Sequence, residues 1–87
     1  KKINKQMKIL IDRPKNGWSH LVAETLPDLH AFARKIGVKR HLFENKRHKN
    51  KPHYDIKQSY FKKAIAAGAI VVESRIIINF LKENYKQ

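Results

Sequence analysis

Five side chains in this sequence have the chemistry of an acid–base or metal centre: Asp12, His20, His30, His53 and Asp55. His53 and Asp55 stand two positions apart, so an extended backbone projects both from one side. Asp12 closes the apolar run Ile9-Leu10-Ile11, and strand ends are where open α/β sheets hold ligands. His20 follows Trp18 at the same spacing of two. Imidazole and carboxylate together bind a divalent metal or hold a water for general-base attack. His53, Asp55, His20 and Asp12 are therefore the catalytic candidates. His20, His53 and Asp55 are the candidate ligands of a divalent metal, the one cofactor the residues suggest. Trp18, His30 and Tyr54 are candidates for lining a pocket. Structural roles compete with each of these. Asp55 and Gln58 have the spacing of a helix capping box, His30 sits one residue off an apolar helix face, and Trp18 has the bulk of a core plug.

The second chemical feature is cationic. The 87 residues carry 20 Lys plus Arg against 7 Asp plus Glu, a net charge of +13. Solubility needs a charge of only about 2–8 in a small domain, so the excess asks for a polyanionic partner. Lys39, Arg40, Lys46, Arg47, Lys49 and Lys51, with His41 and His48, face one acid, Glu44, in a stretch that cannot be core. Arginines clamp phosphates bidentately, and a dense local field draws a phosphate backbone. Arg13 and Lys15 extend the candidate nucleic-acid surface. A solvated surface loop is the structural alternative. Motif spacings of a zinc finger, a phosphate-binding loop or a Gly-rich dinucleotide site are missing, as is the aromatic–basic repeat typical of single-strand binders.

Positioning such residues requires an α/β domain. Residues 1–6 read as a basic tail and residues 7–87 as one domain, with a basic loop at 44–52. Met7 to Asp12 reads as a strand stopped by Pro14 and Asn16-Gly17, and Trp18 to Ala23 as a second strand. Thr25, Pro27 and Asp28 mark a helix start; Leu29, Phe32, Ala33 and Ile36 give its buried face, and Gly37 its end. Val38 to Phe43 suggests a third strand. His53 to Ile56 leads into a second helix ending at Gly68, and Ala69 to Val72 suits a sheet centre or a sheet covered on both sides. Ser74 is the expected cap of a last helix with Ile77, Phe80 and Leu81 inward. The expectation is a short mixed sheet of about four strands with about three helices. Cysteine is absent, which agrees with a reducing compartment. No apolar run approaches the roughly 18–20 residues of a membrane span, and the N-terminal stretch has no signal core, so the expected location is cytoplasmic.

The ordered set Ile9-Leu10-Ile11-Asp12, Trp18-Ser19-His20-Leu21, Asp28-Leu29-His30-Ala31-Phe32-Ala33, His53-Tyr54-Asp55-Ile56 and Gly68-Ala69 resembles a small domain-of-unknown-function family of bacteria and phages (number four-zero-three-one), recognised by a His-Tyr-Asp motif. The resemblance spans about Met7 to Val72. It implies a shared pocket around Asp12, Trp18, His20, His30, Phe32, His53, Tyr54 and Asp55, and no particular activity. Three functions fit the residues. The first is a non-enzymatic nucleic-acid-binding module. The second is a small phosphodiesterase or nuclease with His53 or His20 as base, Asp12 and Asp55 on a metal or orienting a histidine, and Lys51 or Arg13 stabilising charge on phosphate. The third is a phage-like inhibitor of an acidic host protein. Oligomeric state leaves no mark in the sequence.

Overall fold

In the computed structural model, residues 8–45 and 51–85 are described. The first described elements are a hairpin of β1 (Ile9–Asp12) and β2 (Trp18–Ala23), antiparallel with Leu10 opposite Val22. Lys15 and Trp18 exchange backbone hydrogen bonds of 2.8 and 3.1 Å across Asn16-Gly17. Both turn residues have positive φ, 52° and 85°, which a tight primed turn demands and which Asn and Gly supply at least cost. This turn starts β2 at Trp18, and alternation then places Trp18, His20 and Val22 on one face.

Helix α1 (Leu26–Lys35) begins as its sequence indicates: the Thr25 hydroxyl accepts a hydrogen bond from the Asp28 amide, and Leu29, Phe32 and Ala33 are buried. Gly37 follows with φ +87° and ends it. The expected strand over Val38 to Phe43 is instead a 3-10 turn, Arg40–Leu42, running into the two-residue β3 (Phe43–Glu44). Residues 1–6 and 46–50, which include Lys46, Arg47 and Lys49, lie outside the described residues. β4 (His53–Lys57), a 3-10 turn Gln58–Tyr60, α2 (Phe61–Ala66), β5 (Ile70–Val72) and α3 (Ser74–Asn84) complete the chain.

The five strands form one mixed sheet in the order β3-β4-β2-β1-β5, with β1 and β5 parallel. The α/β class and the three helices agree with the sequence reading. Three local expectations do not hold. Of the two placements that the Ala69 to Val72 run suits, the sheet centre does not hold, since it is an edge strand with Ile70 52% exposed, whereas the sheet it joins is covered on both sides. Asp55 lies within β4 and is not a cap; the following 3-10 turn has Lys57 at its cap position, with no side-chain cap. Glu73, not Ser74, occupies the cap position of α3, and the Ser74 hydroxyl is used elsewhere.

Both faces of the sheet are covered, but unequally. One face packs Ile9, Ile11, Leu21, Tyr54 and Ile56 against Leu29, Phe32, Ala33 and Ala64 from α1 and α2. On the other, α3 sets Ile77, Phe80 and Leu81 on Leu10 and Val22. Beyond these residues the same face carries Asp12, His20, Asp55, His53 and Glu44 by strand alternation, and there it forms open clefts.

Tyr85 anchors the end of α3: its hydroxyl donates to the Ala23 carbonyl at 2.7 Å. Burial, with the negative charges of Asp28 and Glu24 adding, pushes its pKa up to about 12. An unfolded tyrosine ionises near about 10, so between those values the unfolded chain releases a proton that the fold retains, and stability falls as pH rises. Tyr85→Phe is expected to lose about 1 kcal/mol at neutral pH with the hydrogen bond, and then to fall less steeply than the parent from about pH 10 to 12. Denaturant midpoints at the two ends of that range measure the difference, and parallel slopes would refute the assignment.

Candidate active site

Asp12 closes β1, directly beside His20 on β2, and its carboxylate is 2% exposed. Such a charge is tolerable in the interior only when its oxygens are satisfied. Three donors do this. The His20 backbone N–H donates to Oδ1 at 2.6 Å; the His20 ring Nδ1–H and the Ser74 hydroxyl donate to Oδ2 at 2.8 and 2.7 Å. Burial opposes ionisation of Asp12, but these hydrogen bonds together outweigh it and hold the carboxyl below its ordinary value. The reciprocal effect raises His20: the Asp12 hydrogen bond leads, burial opposes it, the charges of Asp12 and Asp55 add, and Lys15 subtracts.

With Nδ1 committed to Asp12, His20 turns Nε2 away from the core, 3.8 Å from Asp55 Oδ1. β2 and β4 pair His20 with Asp55 in register, which accounts for the approach. His53, two residues back on β4, donates Nδ1–H to the Lys51 carbonyl at 2.8 Å and sets Nε2 3.2 Å from the same Asp55 oxygen. The two imidazoles meet edge to face at 5.4 Å. Both rings thus turn Nε2 toward one carboxylate oxygen, and one ligand atom from each of the three residues lies within 4.8 Å of the others. Acceptors aimed at one point repel until a proton or a metal ion stands among them. With Nε2 of each ring free of its proton, two imidazoles and one carboxylate, each ring fixed through its far nitrogen, form a donor set that suits a divalent transition metal.

The cluster lies at the junction of two clefts. One, of about 340 Å³, runs between β4 and α3 and is lined by His20, Glu44, Lys51, His53, Asp55 and Ile77 among others. The second, of about 490 Å³, passes Asp12, His20, Glu44 and Asp55 toward Lys15, Trp18 and His41. The four catalytic candidates of the sequence therefore meet in one place, with Asp12 almost fully buried behind His20 at the wall of the second cleft.

The pocket candidates divide: His30 and Tyr54 meet and line one cavity, and Trp18 stands apart from them. Trp18 is 40% exposed beside the cluster, so it is no core plug. Tyr54 points to the other face of the sheet, where its hydroxyl and His30 Nδ1 are 2.8 Å apart. Burial, partly offset by the Arg40 charge, raises the Tyr54 phenol; burial and Arg40 together lower His30. Tyr54 therefore donates and neutral His30 accepts. The cationic candidates divide in the same way. Lys15 and Lys51 line the clefts of the cluster, Arg13 stands with Lys15 in a further cleft of about 320 Å³, and Lys39 and Arg40 join Arg34 around the His30–Tyr54 pair.

Two contributors escaped the sequence reading. Ser74 has the sequence context of a cap, and only the packing of α3 against the end of β1 brings it to Asp12. Glu44 looks like a stray acid in a basic loop, yet its register opposite His53 puts it on the rim of both clefts. Strand period two would have found Glu44 had β3 been read correctly.

Fold and centre together define a small α/β domain with a His/carboxylate cluster on the open part of its sheet. The chain belongs to the family described as Protein of unknown function (DUF4031), whose model matches residues 8–84. No curated protein and no solved structure matches it. Among the described residues, no helix is long and apolar enough to cross a membrane.

Proposed function

We propose that the protein is a divalent-metal-dependent phosphodiesterase acting on nucleic acid. The observation that carries this reading is the convergence of His20 Nε2, His53 Nε2 and Asp55 Oδ1, with each imidazole held from behind by an oxygen acceptor. His20, His53 and Asp55 would hold the ion, and a bound divalent ion would supply an acidified water and a Lewis-acid contact to phosphate. The water oxygen attacks phosphorus, the P–O bond to the leaving group breaks, and the leaving oxygen takes a proton from solvent or a neighbouring acid. Glu44 on the rim is suited to receive the water proton, while Lys15 and Lys51 offset charge gathering on phosphate. Ser74 is no nucleophile in this scheme: its proton goes to Asp12. The charge of +13 supports a polyanionic substrate.

A second reading, binding without cleavage, draws on the cations around Arg34, Lys39 and Arg40, remote from the cluster. One experiment separates the two. The protein is stripped with chelator, then titrated with manganese or zinc in a calorimeter and incubated with labelled DNA and RNA. Stoichiometric metal uptake and metal-dependent cleavage are expected. Tight nucleic-acid binding with neither uptake nor cleavage would leave only the binding module.

A further inference from the structure

The cleft that leads away from the cluster has an aromatic floor that the phosphodiesterase chemistry does not use. Trp18, the single tryptophan of the chain, is 40% exposed and lies two residues from His20 on the same face of β2. Large aromatic rings are costly to leave in water, and the turn at Asn16-Gly17 holds this one in place by the paired Lys15 and Trp18 backbones. Gln58 adds a third restraint, donating its amide to the Gly17 carbonyl at 2.8 Å. The platform is thus pre-set on a hairpin and not carried on a free loop. Cations flank it: the Lys57 ammonium is 6.0 Å from the ring centroid, and Lys15 lines the same cleft.

An exposed ring with cations beside it, one strand step from a phosphate-cleaving centre, is the arrangement that binds an unpaired base by stacking and its phosphate by charge. Two residues of strand span about 6.6 Å, close to the spacing of successive phosphates along a nucleic-acid chain. A duplex keeps its bases stacked on each other and offers this ring nothing. We propose that Trp18 seats an unpaired nucleobase of a single-stranded nucleic acid, so that the neighbouring phosphodiester lies at His20, His53 and Asp55. This deepens the phosphodiesterase reading and rests on it for the position of the cut.

The test uses full-length protein in chelator, so that binding is read without cleavage. Trp18 is its own reporter, since no other tryptophan contributes. An oligothymidylate of about ten nucleotides is expected to quench its emission, while a hairpin duplex of equal charge quenches little. Trp18→Ala should weaken single-strand affinity about 5- to 150-fold and leave duplex affinity within about twofold, and Trp18→Phe should recover most of the loss. Equal losses for both nucleic acids, or no loss for either, would overturn the base seat. Metal titration of Trp18→Ala keeps the two proposals apart. If that variant binds metal and cuts single strands as the parent does, the seat fails and the centre stands. If quenching and the Trp18 dependence hold but no metal supports cleavage in the parent, the seat stands as a binding feature and the phosphodiesterase reading fails.

Discussion

Asp12→Asn is expected to leave the chain folded and to weaken divalent-metal binding about 10- to 100-fold, although Asp12 touches no metal position. The reason is the inventory of protons. The carboxylate now receives three donors: the His20 backbone N–H, the His20 ring Nδ1–H and the Ser74 hydroxyl. Asparagine offers one carbonyl oxygen and an NH2 group. Its oxygen can satisfy the backbone N–H, and the Ser74 hydroxyl can rotate to accept. The His20 ring then meets a donor where it had an acceptor, and the least costly response is a change of tautomer. Nδ1 takes the lone pair and Nε2 the proton, so Nε2 can neither ligate nor act as base. Imidazole ¹⁵N shifts read this exchange directly. A variant that keeps the Nδ1–H tautomer and full metal affinity would reduce Asp12 to a structural role. Asp12→Ala is a harsher change. It strands the donors at a buried position and is expected to cost about 3 kcal/mol or more, measured by denaturant unfolding.

Much of this arrangement was legible because it follows from local periodicity. Period two along β2 puts Trp18 and His20 on one side, and period two along β4 does the same for His53 and Asp55. Thr25, Gly37 and Gly68 act as punctuation because their backbone requirements are local. What stayed hidden is what depends on register between distant segments. Nothing in the sequence says that His20 pairs with Asp55 and not with Asp55's neighbour, yet that one-residue choice decides whether the cluster exists, because a slip of one would turn Asp55 to the opposite face. The same dependence hid the Ser74 bond, which joins residues 62 positions apart. Composition misled where it outweighed context. The apolar Ala69 to Val72 suited a sheet centre or a sheet covered on both sides; β5 is held at the edge by its single partner β1, and its apolar character serves packing on both faces, Val71 against the α1 side and Val72 against the α3 side. Cationic residues adjacent in sequence also proved divided in space. Lys15 and Lys51 reach the cluster, whereas Lys39 and Arg40 serve the other face, so the charge of the described residues is not one stripe.

His53→Ala separates a catalytic centre from a folding feature, and its expected effect on cleavage is the largest of all. Removing a ligand is more severe than disturbing the group behind it, so metal affinity should fall by at least 100-fold and hydrolysis of phosphodiesters should disappear. Nucleic-acid affinity should persist, because phosphate contacts are supplied mainly by lysines and arginines. The side chain is 11% exposed and carries one hydrogen bond to the Lys51 carbonyl, which makes some structural cost certain to register. That carbonyl gains access to water once the ring is gone, which limits the cost to about 1–2 kcal/mol. Thermal unfolding with and without metal supplies the decisive comparison. Metal at a hundred times its dissociation constant stabilises a protein that binds it only when folded by about 2.7 kcal/mol. The parent should show that rise, and His53→Ala should melt at the same temperature in metal and in chelator. Loss of cleavage together with nucleic-acid binding and fold would mean that His53 acts through packing alone. Loss of cleavage and metal response with binding intact would mean that the two imidazoles and Asp55 are one chemical unit, because removal of any single member then has the consequence of removing the ion they share.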